Sequence, residues 1–128
     1  MATRVRWLGH ACLYIESDGQ RLLIDPFLTG NPAAAAKADD VAADFILISH
    51  GHGDHVGDAV EIGKRTGAKL SSNYDLAEAM KLVLGYPAKQ ADNDTTGHMG
   101  GQLNLLNGDV SVCFVPAFHG SAAVPQGR

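Results

Sequence analysis

Apolar residues fall into short runs along the chain, divided by glycine, proline, asparagine and aspartate. Arg4 to Leu8 and Ala11 to Glu16 read as two strands broken at Gly9-His10. Ser17-Asp18-Gly19-Gln20 reads as a turn with Asp-Gly as its hairpin signal, and Arg21 to Ile24 as the return strand. The chain therefore opens as an antiparallel meander, with Leu13, Ile15, Leu22 and Ile24 as core candidates. Pro32, followed by four alanines and Lys37, reads either as a short helix with proline in its first turn or as a mobile flap. Phe45-Ile46-Leu47-Ile48 is apolar and partly β-branched, as a buried strand is. Asp58 to Thr66 then carries Ala59, Ile62 and Gly63 on one side, which predicts a helix capped by Gly67-Ala68.

Lys69 to Ser72 is a short strand, and Asn73 a candidate N-cap for a helix from Tyr74 to Leu84. Leu76, Met80, Val83 and Leu84 form the apolar face of that helix, and Gly85-Tyr86-Pro87 stops it. Ala88 to Gly101 is polar and glycine-rich and reads as loop. Gln102 to Leu106 and Asp109 to Pro116 are strands joined by a tight turn at Asn107-Gly108. Ala117-Phe118-His119-Gly120 leaves the sheet end. The fold class expected is α/β: a mixed β-sheet with helices on one face.

Composition narrows this only a little. A chain of 128 residues with 45% apolar content suits one soluble folded domain. No apolar run approaches the roughly 18 residues needed to cross a bilayer. The first residues, Met-Ala-Thr-Arg-Val-Arg, hold no apolar signal segment. The expectation is a cytoplasmic protein that does not engage membranes. The formal charge of −4 and the lack of a Lys/Arg cluster exclude a general nucleic-acid footprint. Cys12 and Cys113 sit in apolar, strand-like runs and are expected to be buried, reduced thiols.

The candidate chemistry is concentrated in Ser49-His50-Gly51-His52-Gly53-Asp54-His55-Val56-Gly57-Asp58. Imidazole nitrogen and carboxylate oxygen suit borderline divalent metals such as zinc, manganese or iron. The interleaved glycines permit the sharp backbone angles that aim close neighbours at one point. Strand, ligand-dense loop and helix is also the order in which α/β proteins place a site. Far downstream, Phe118-His119 follows another apolar strand. Asp25 precedes Pro26, a common setting for a turn-starting aspartate.

His50-x-His52-x-Asp54-His55 resembles the signature of the metallo-β-lactamase superfamily. Trp7-Leu8-Gly9-His10-Ala11, Leu23-Ile24-Asp25-Pro26-Phe27 and Gly30-Asn31-Pro32 are similar to its branch of metal-dependent hydrolases related to ascorbate-phosphate lactonases. The resemblance runs from about Val5 to His119. It implies that residues 1–128 are the N-terminal half of a four-layered αβ/βα sandwich. His50, His52 and His119 would hold a first divalent metal, and Asp54 and His55 would begin a second site. Zinc is the foremost expectation, with manganese or iron as alternatives. Asp54 would also orient water. His10, by the same resemblance, would be a substrate contact or proton donor, the alternative being a partly buried surface histidine. Asp25 would hydrogen-bond the metal-site loop. His98, in Gly97-His98-Met99-Gly100-Gly101, is a further candidate for touching substrate or metal.

The implied reaction is attack by metal-bound hydroxide on an ester, lactone or phosphoester of a small-molecule substrate. The resemblance also implies two more ligands, an aspartate and a histidine, and Gly120 to Arg128 contains neither. The site is thus expected to be completed by a C-terminal half, as a second chain or a cleaved segment, or by self-association into a homo-oligomer. A lone copy should bind metal weakly and turn over nothing. The alternative is a non-catalytic metal-binding or interaction module. A di-iron oxidoreductase with a flavin partner is a third reading.

Overall fold

In the computed structural model, which describes residues 2–105 and 108–120, the expected meander forms. Strands β1 (Arg4–Gly9), β2 (Cys12–Ser17) and β3 (Gln20–Ile24) pair antiparallel, with Trp7 opposite Leu13 and Leu13 opposite Ile24. β4 (Phe45–Leu47) then pairs parallel to β3, and β5 (Lys69–Asn73) and β6 (Thr96–Gly97) continue in parallel. The six strands lie in chain order in one mixed sheet. β7 (Gln102–Leu105) and β8 (Val110–Cys113) form a separate antiparallel pair. The turn expected at Asn107-Gly108 falls partly outside the described residues.

Parallel neighbours need crossovers; the one from β3 to β4 holds only a 3₁₀ turn at Ala38–Asp40, and the next two are helical. A short α1 (Gly53–Val56) and then α2 (Ala59–Thr66) join β4 to β5, and α3 (Tyr74–Leu82) leads from β5 towards β6. Asn73 caps α3 as expected, its side chain accepting from the Leu76 N–H at 2.8 Å. Ala59 and Ile62 of α2 and Leu76, Ala77 and Met80 of α3 pack on Tyr14, Leu23, Ile46 and Leu70 of the sheet. A second, smaller cluster lies on the opposite face. There Leu22 and Phe45 meet Leu105, with Ile15, Leu47, Leu103, Val110 and Val112 around them. The helices therefore cover one face, and the β7–β8 pair covers part of the other. At the β1 edge of that second face, Val5 and Trp7 stay 61% and 64% exposed. No helix among the described residues is long and apolar enough to cross a membrane.

Several sequence expectations need correction. Of the four core candidates only Leu22 is buried, whereas Leu13, Ile15 and Ile24 are half-buried. Strand alternation puts all four on the face that the small hairpin covers incompletely. The helix-covered face takes Cys12, Tyr14 and Leu23 instead. Pro32 to Lys37 forms turns, not a helix, and is tied to β1 by the Ala35 N–H donating to the Leu8 carbonyl at 3.0 Å. α3 ends at Leu82, because the Tyr86 N–H closes back on the Met80 carbonyl across Gly85 in the left-handed region (φ 81°). Val83, expected in the core, is 57% exposed. Cys113 is exposed: Val110 and Val112 point inward from β8, so the alternating position points out. The loop from Ala88 to Gly101 contains a 3₁₀ turn at Ala88–Gln90 and the short β6.

Two contacts make this packing testable. Tyr86 lies over Gly63 of α2, and its hydroxyl donates to the Ala68 carbonyl at 2.8 Å. A Cβ on Gly63 would meet the Tyr86 ring at 2.6 Å. Glycine to alanine within a helix is ordinarily favourable, but Gly63→Ala should cost about 1–3 kcal/mol here through overpacking. Denaturant unfolding reads this directly, and equal or greater stability of the variant would refute the close contact. Arg21 grips Asp44 through Nε and Nη2 at 3.0 and 2.8 Å, tying β3 to the approach of β4. The Arg21 guanidinium holds the Asp44 carboxyl below its usual range. A lowered folded-state pKa gives stability above the unfolded value that is lost as pH falls through the folded one. Asp44→Asn should cost about 0.5–1 kcal/mol at neutral pH for this half-exposed pair. The gap from wild type should close on acidification into the carboxylate range.

Candidate metal centre

The site grows from strand direction. β1, β3 and β4 run the same way, so their carboxyl ends share one edge of the sheet. His10 follows β1, Asp25 follows β3, and the His50–His55 loop follows β4. Loops at the carboxyl ends of strands are where open α/β sheets hold ligands. Ile48 remains buried, its N–H donating to the Ser71 carbonyl at 3.0 Å, so the chain leaves the sheet only at Ser49. His52 is extended (φ −69°, ψ 146°) and starts α1, whose single turn carries Asp54 and His55.

Six side chains gather into two groups, and within each the donor atoms lie within 4.8 Å of one another. The first is His50, His52 and His119. His52 Nδ1 faces His119 Nε2 at 3.2 Å, and the His50 ring lies 4.7 Å from each of the other two rings. The second is His10, Asp54 and His55, with His10 Nε2 3.1 Å from Asp54 Oδ2. The groups adjoin, since the His50 and His55 rings are 4.0 Å apart.

Asp25 orders both groups. It is 4% exposed and sits at a positive φ of 45°. Its Oδ1 accepts the Ser49 N–H at 2.8 Å, and its Oδ2 accepts from the Ser49 hydroxyl at 2.6 Å and from His55 Nδ1 at 2.9 Å. A hydroxyl has one proton, so Ser49 Oγ, donating to Asp25, accepts from His50 Nδ1 at 2.9 Å. This hydrogen-bond pattern assigns the Nδ1–H tautomer to His50 and to His55, and leaves both Nε2 lone pairs for another partner.

The chemistry of these lone pairs fits a cation. His50 Nε2 is buried and has no hydrogen-bond partner among the described residues. Burial, and then the neighbouring His55, His119 and His52, push its pKa down, so it stays neutral, the form that ligates metal. Donors about 2.0–2.1 Å from a tetrahedral ion lie about 3.3 Å from one another. The 3.1 and 3.2 Å contacts in the two groups match that spacing. Desolvation raises the Asp54 carboxyl, but its own backbone N–H and the imidazoles of His55 and His10 outweigh it and hold the pKa below the usual value. The residues present fit a divalent metal. Cys12 is no competitor: burial, then the charges of Asp25 and Asp58, push its thiol up to about 12.

The loop after β3 is fixed to the ligand loop. Asp58 Oδ2 accepts the Leu28 and Thr29 N–H groups at 3.0 and 2.8 Å. Gly57 passes so close to Pro26 that a Cβ would lie 2.4 Å from its carbonyl oxygen. A cleft of about 560 Å³ touches the ligand loop at Gly51 and Gly53, and none of the six donors lines it.

A mixed sheet with helices on one face and a histidine–aspartate centre at its carboxyl edge defines a protein of the metallo-β-lactamase fold. Residues 4–122 match the beta-lactamase superfamily domain, and the chain belongs to that family. It is 48% identical over 126 residues to a UPF0173 metal-dependent hydrolase of Thermodesulfovibrio yellowstonii, covering 94% of this chain and 47% of the relative. A UPF0173 metal-dependent hydrolase of Thermococcus onnurineus is 50% identical over 119 residues, covering 93% and 49%. Among solved structures, Igni18, a metallo hydrolase of Ignicoccus hospitalis, superposes with a TM-score of 0.79 at 30% identity, covering 94% of this chain and 51% of its own. The Rm3 metallo-β-lactamase shares the fold at 24% identity (TM-score 0.52, covering 85% and 46%). The chain spans about half the length of the curated relatives it matches.

The structure brings together every donor singled out in the sequence except His98. That residue stands apart, its ring 6.0 Å from Tyr74. His10 lies within hydrogen-bonding distance of Asp54, a grouping that sequence reasoning did not make. Ser49 lay in the candidate stretch without an assigned role, for a serine before a histidine carries no spacing signal. Asp25→Asn would remove the acceptor that sets the His55 tautomer and anchors Ser49. Competition against a chromophoric chelator should show metal affinity falling about 10–100-fold, as for other residues that orient metal-bound histidines. Unchanged affinity would separate Asp25 from the site.

Proposed function

We propose that this chain is the N-terminal, metal-holding half of a hydrolase that cleaves an ester, lactone or phosphoester of a small molecule. The observation that carries this reading is the convergence of six donors at one sheet edge, with His50 Nε2 buried and without a hydrogen-bond partner among the described residues. The kinship to proteins named metal-dependent hydrolases supports it. A divalent ion held there supplies Lewis acidity and lowers the pKa of a bound water. Zinc suits the donor set best, and manganese or iron would also be accepted. The residues themselves hold and orient. His50, His52 and His119 present imidazole lone pairs to one position, and the Asp54 carboxylate and the His55 imidazole face a second. Asp25 and Ser49 keep the His50 and His55 rings in the tautomer that ligates. We assign the protein to the cytoplasm, in keeping with two free cysteines.

We further propose that a second half of the fold completes the enzyme. Val5, Trp7, Leu13 and Ile15 line the sheet face opposite the helices, and the exposed Phe118 adjoins His119. Apolar surface beside a candidate site favours a covering partner. The test supplies the C-terminal half of the Thermodesulfovibrio relative in trans and assays p-nitrophenyl esters, a lactone and bis-p-nitrophenyl phosphate. Turnover with zinc and both halves, abolished by chelator and by His52→Ala, is expected. Stoichiometric metal with no turnover from a verified complex would instead identify a non-catalytic metal-binding module.

A further inference from the structure

We infer that His10 is a protein ligand of the second metal, so that this chain by itself supplies three donors to each of two ions. The inference rests on the reading of the six-residue centre as a metal site and adds the identity of a ligand to it. Expectation from the sequence had placed His10 outside the metal groups, as a substrate contact or proton donor, and so counted only Asp54 and His55 towards the second ion.

The backbone around His10 is held in an uncommon shape. Its φ is +51°, in the left-handed region that few non-glycine residues occupy. The preceding Gly9 has φ +108°, and a Cβ there would lie 2.6 Å from the Ala33 carbonyl oxygen. Trp7 Nε1–H donates to the His10 carbonyl at 2.7 Å. The β1–β2 register shifts between Trp7 and Gly9. The two-residue loop His10-Ala11 itself calls for a positive φ at its first residue, but not for the Gly9 conformation, the Trp7 contact or the register shift. Strained conformations of this kind gather at functional sites, where the surroundings hold them.

The side chain that this turn delivers points into the second group. Its Nε2 lies 3.1 Å from Asp54 Oδ2, and its ring stands edge-on to His55 at 5.1 Å and to Phe27 at 6.0 Å. A simple ion pair would account for the 3.1 Å contact but not for the third member. His55 has its Nδ1 engaged by Asp25 and so turns an unprotonated Nε2 towards the same group. Two imidazoles and one carboxylate are a complete protein set for an ion that keeps a position open to water or substrate. With His50, His52 and His119 on the other ion, the two sites have equal numbers of ligands from this chain. The expectation of weak binding by a lone copy is thereby revised.

Zinc titration of the 128-residue chain, followed by equilibrium dialysis and elemental analysis, tests this. Wild type should retain two equivalents. His10→Ala should retain one, with the second bound at least about 10-fold more weakly. His98→Ala, altered at a histidine outside both groups, should retain two. Far-UV circular dichroism establishes that each variant is folded. Should His10→Ala not fold, ¹⁵N-edited NMR of the histidine rings in the wild-type chain decides the matter. His10 Nε2 should shift with the second equivalent, together with His55. Two equivalents held as tightly by His10→Ala, or a His10 signal unmoved at saturating zinc, would overturn the proposal. If His50, His52 and His119 still respond in that case, the metal-hydrolase reading stands without it. If no histidine responds, both fall.

Discussion

The buried carboxylate of Asp25 is the constraint on which the site depends. A carboxylate held away from water is costly unless its oxygens are satisfied. Here the Ser49 backbone, the Ser49 hydroxyl and the His55 ring satisfy it together. The same bonds that offset its burial also choose the tautomers of His50 and His55. Stability and site geometry are therefore coupled: removing the carboxylate frees the ligand loop and both rings at once. Its positive φ belongs to the same arrangement, since the chain must turn sharply at the end of β3 to bring the carboxylate under Ser49.

Strand direction supplies the rest of the placement. The antiparallel meander reverses twice, which returns β3 to the direction of β1, and the crossovers keep β4 in the direction of β3. Three loops thus meet at one edge although their residues are far apart in the chain. His119 reaches the same edge from beyond the β7–β8 pair, 67 positions from His52. Short interlocks hold these loops in place. Asp58 holds Leu28 and Thr29, and Gly57 admits Pro26 to close contact. Donors fixed before any ion arrives lose little conformational freedom on binding, which favours affinity.

The sheet is apolar on both faces, and the two faces are covered differently. α2 and α3 seal one over Tyr14, Leu23, Ile46 and Leu70. The other carries Leu22 and Phe45 beneath the small hairpin and leaves Val5 and Trp7 largely open at the edge. Two-sided apolar strands suit a sheet with a layer on each side. This is why the proposed completion of the site and the covering of this face are one proposal: a single added layer would do both.

The ligand types, their order and the elements that flank them were legible in the sequence by itself. Period-two and helical patterns are local, and so are the Asp-Gly turn, the Asn73 cap and the packed donors of His50 to His55. Only the tertiary structure decided which face of β2 and β3 carries the main core, because alternation marks two faces without saying which one the helices will take. It likewise decided that Cys113 points out and that Pro32 to Lys37 is turns tied to β1. The grouping of His10 with Asp54 and His55, and the relay from Asp25 through Ser49 to His50, were also tertiary outcomes. These contacts depend on the register and direction of strands that pair across the sheet. A one-dimensional pattern names the side chains, but the distances between them exist only once the sheet edge has brought their loops together.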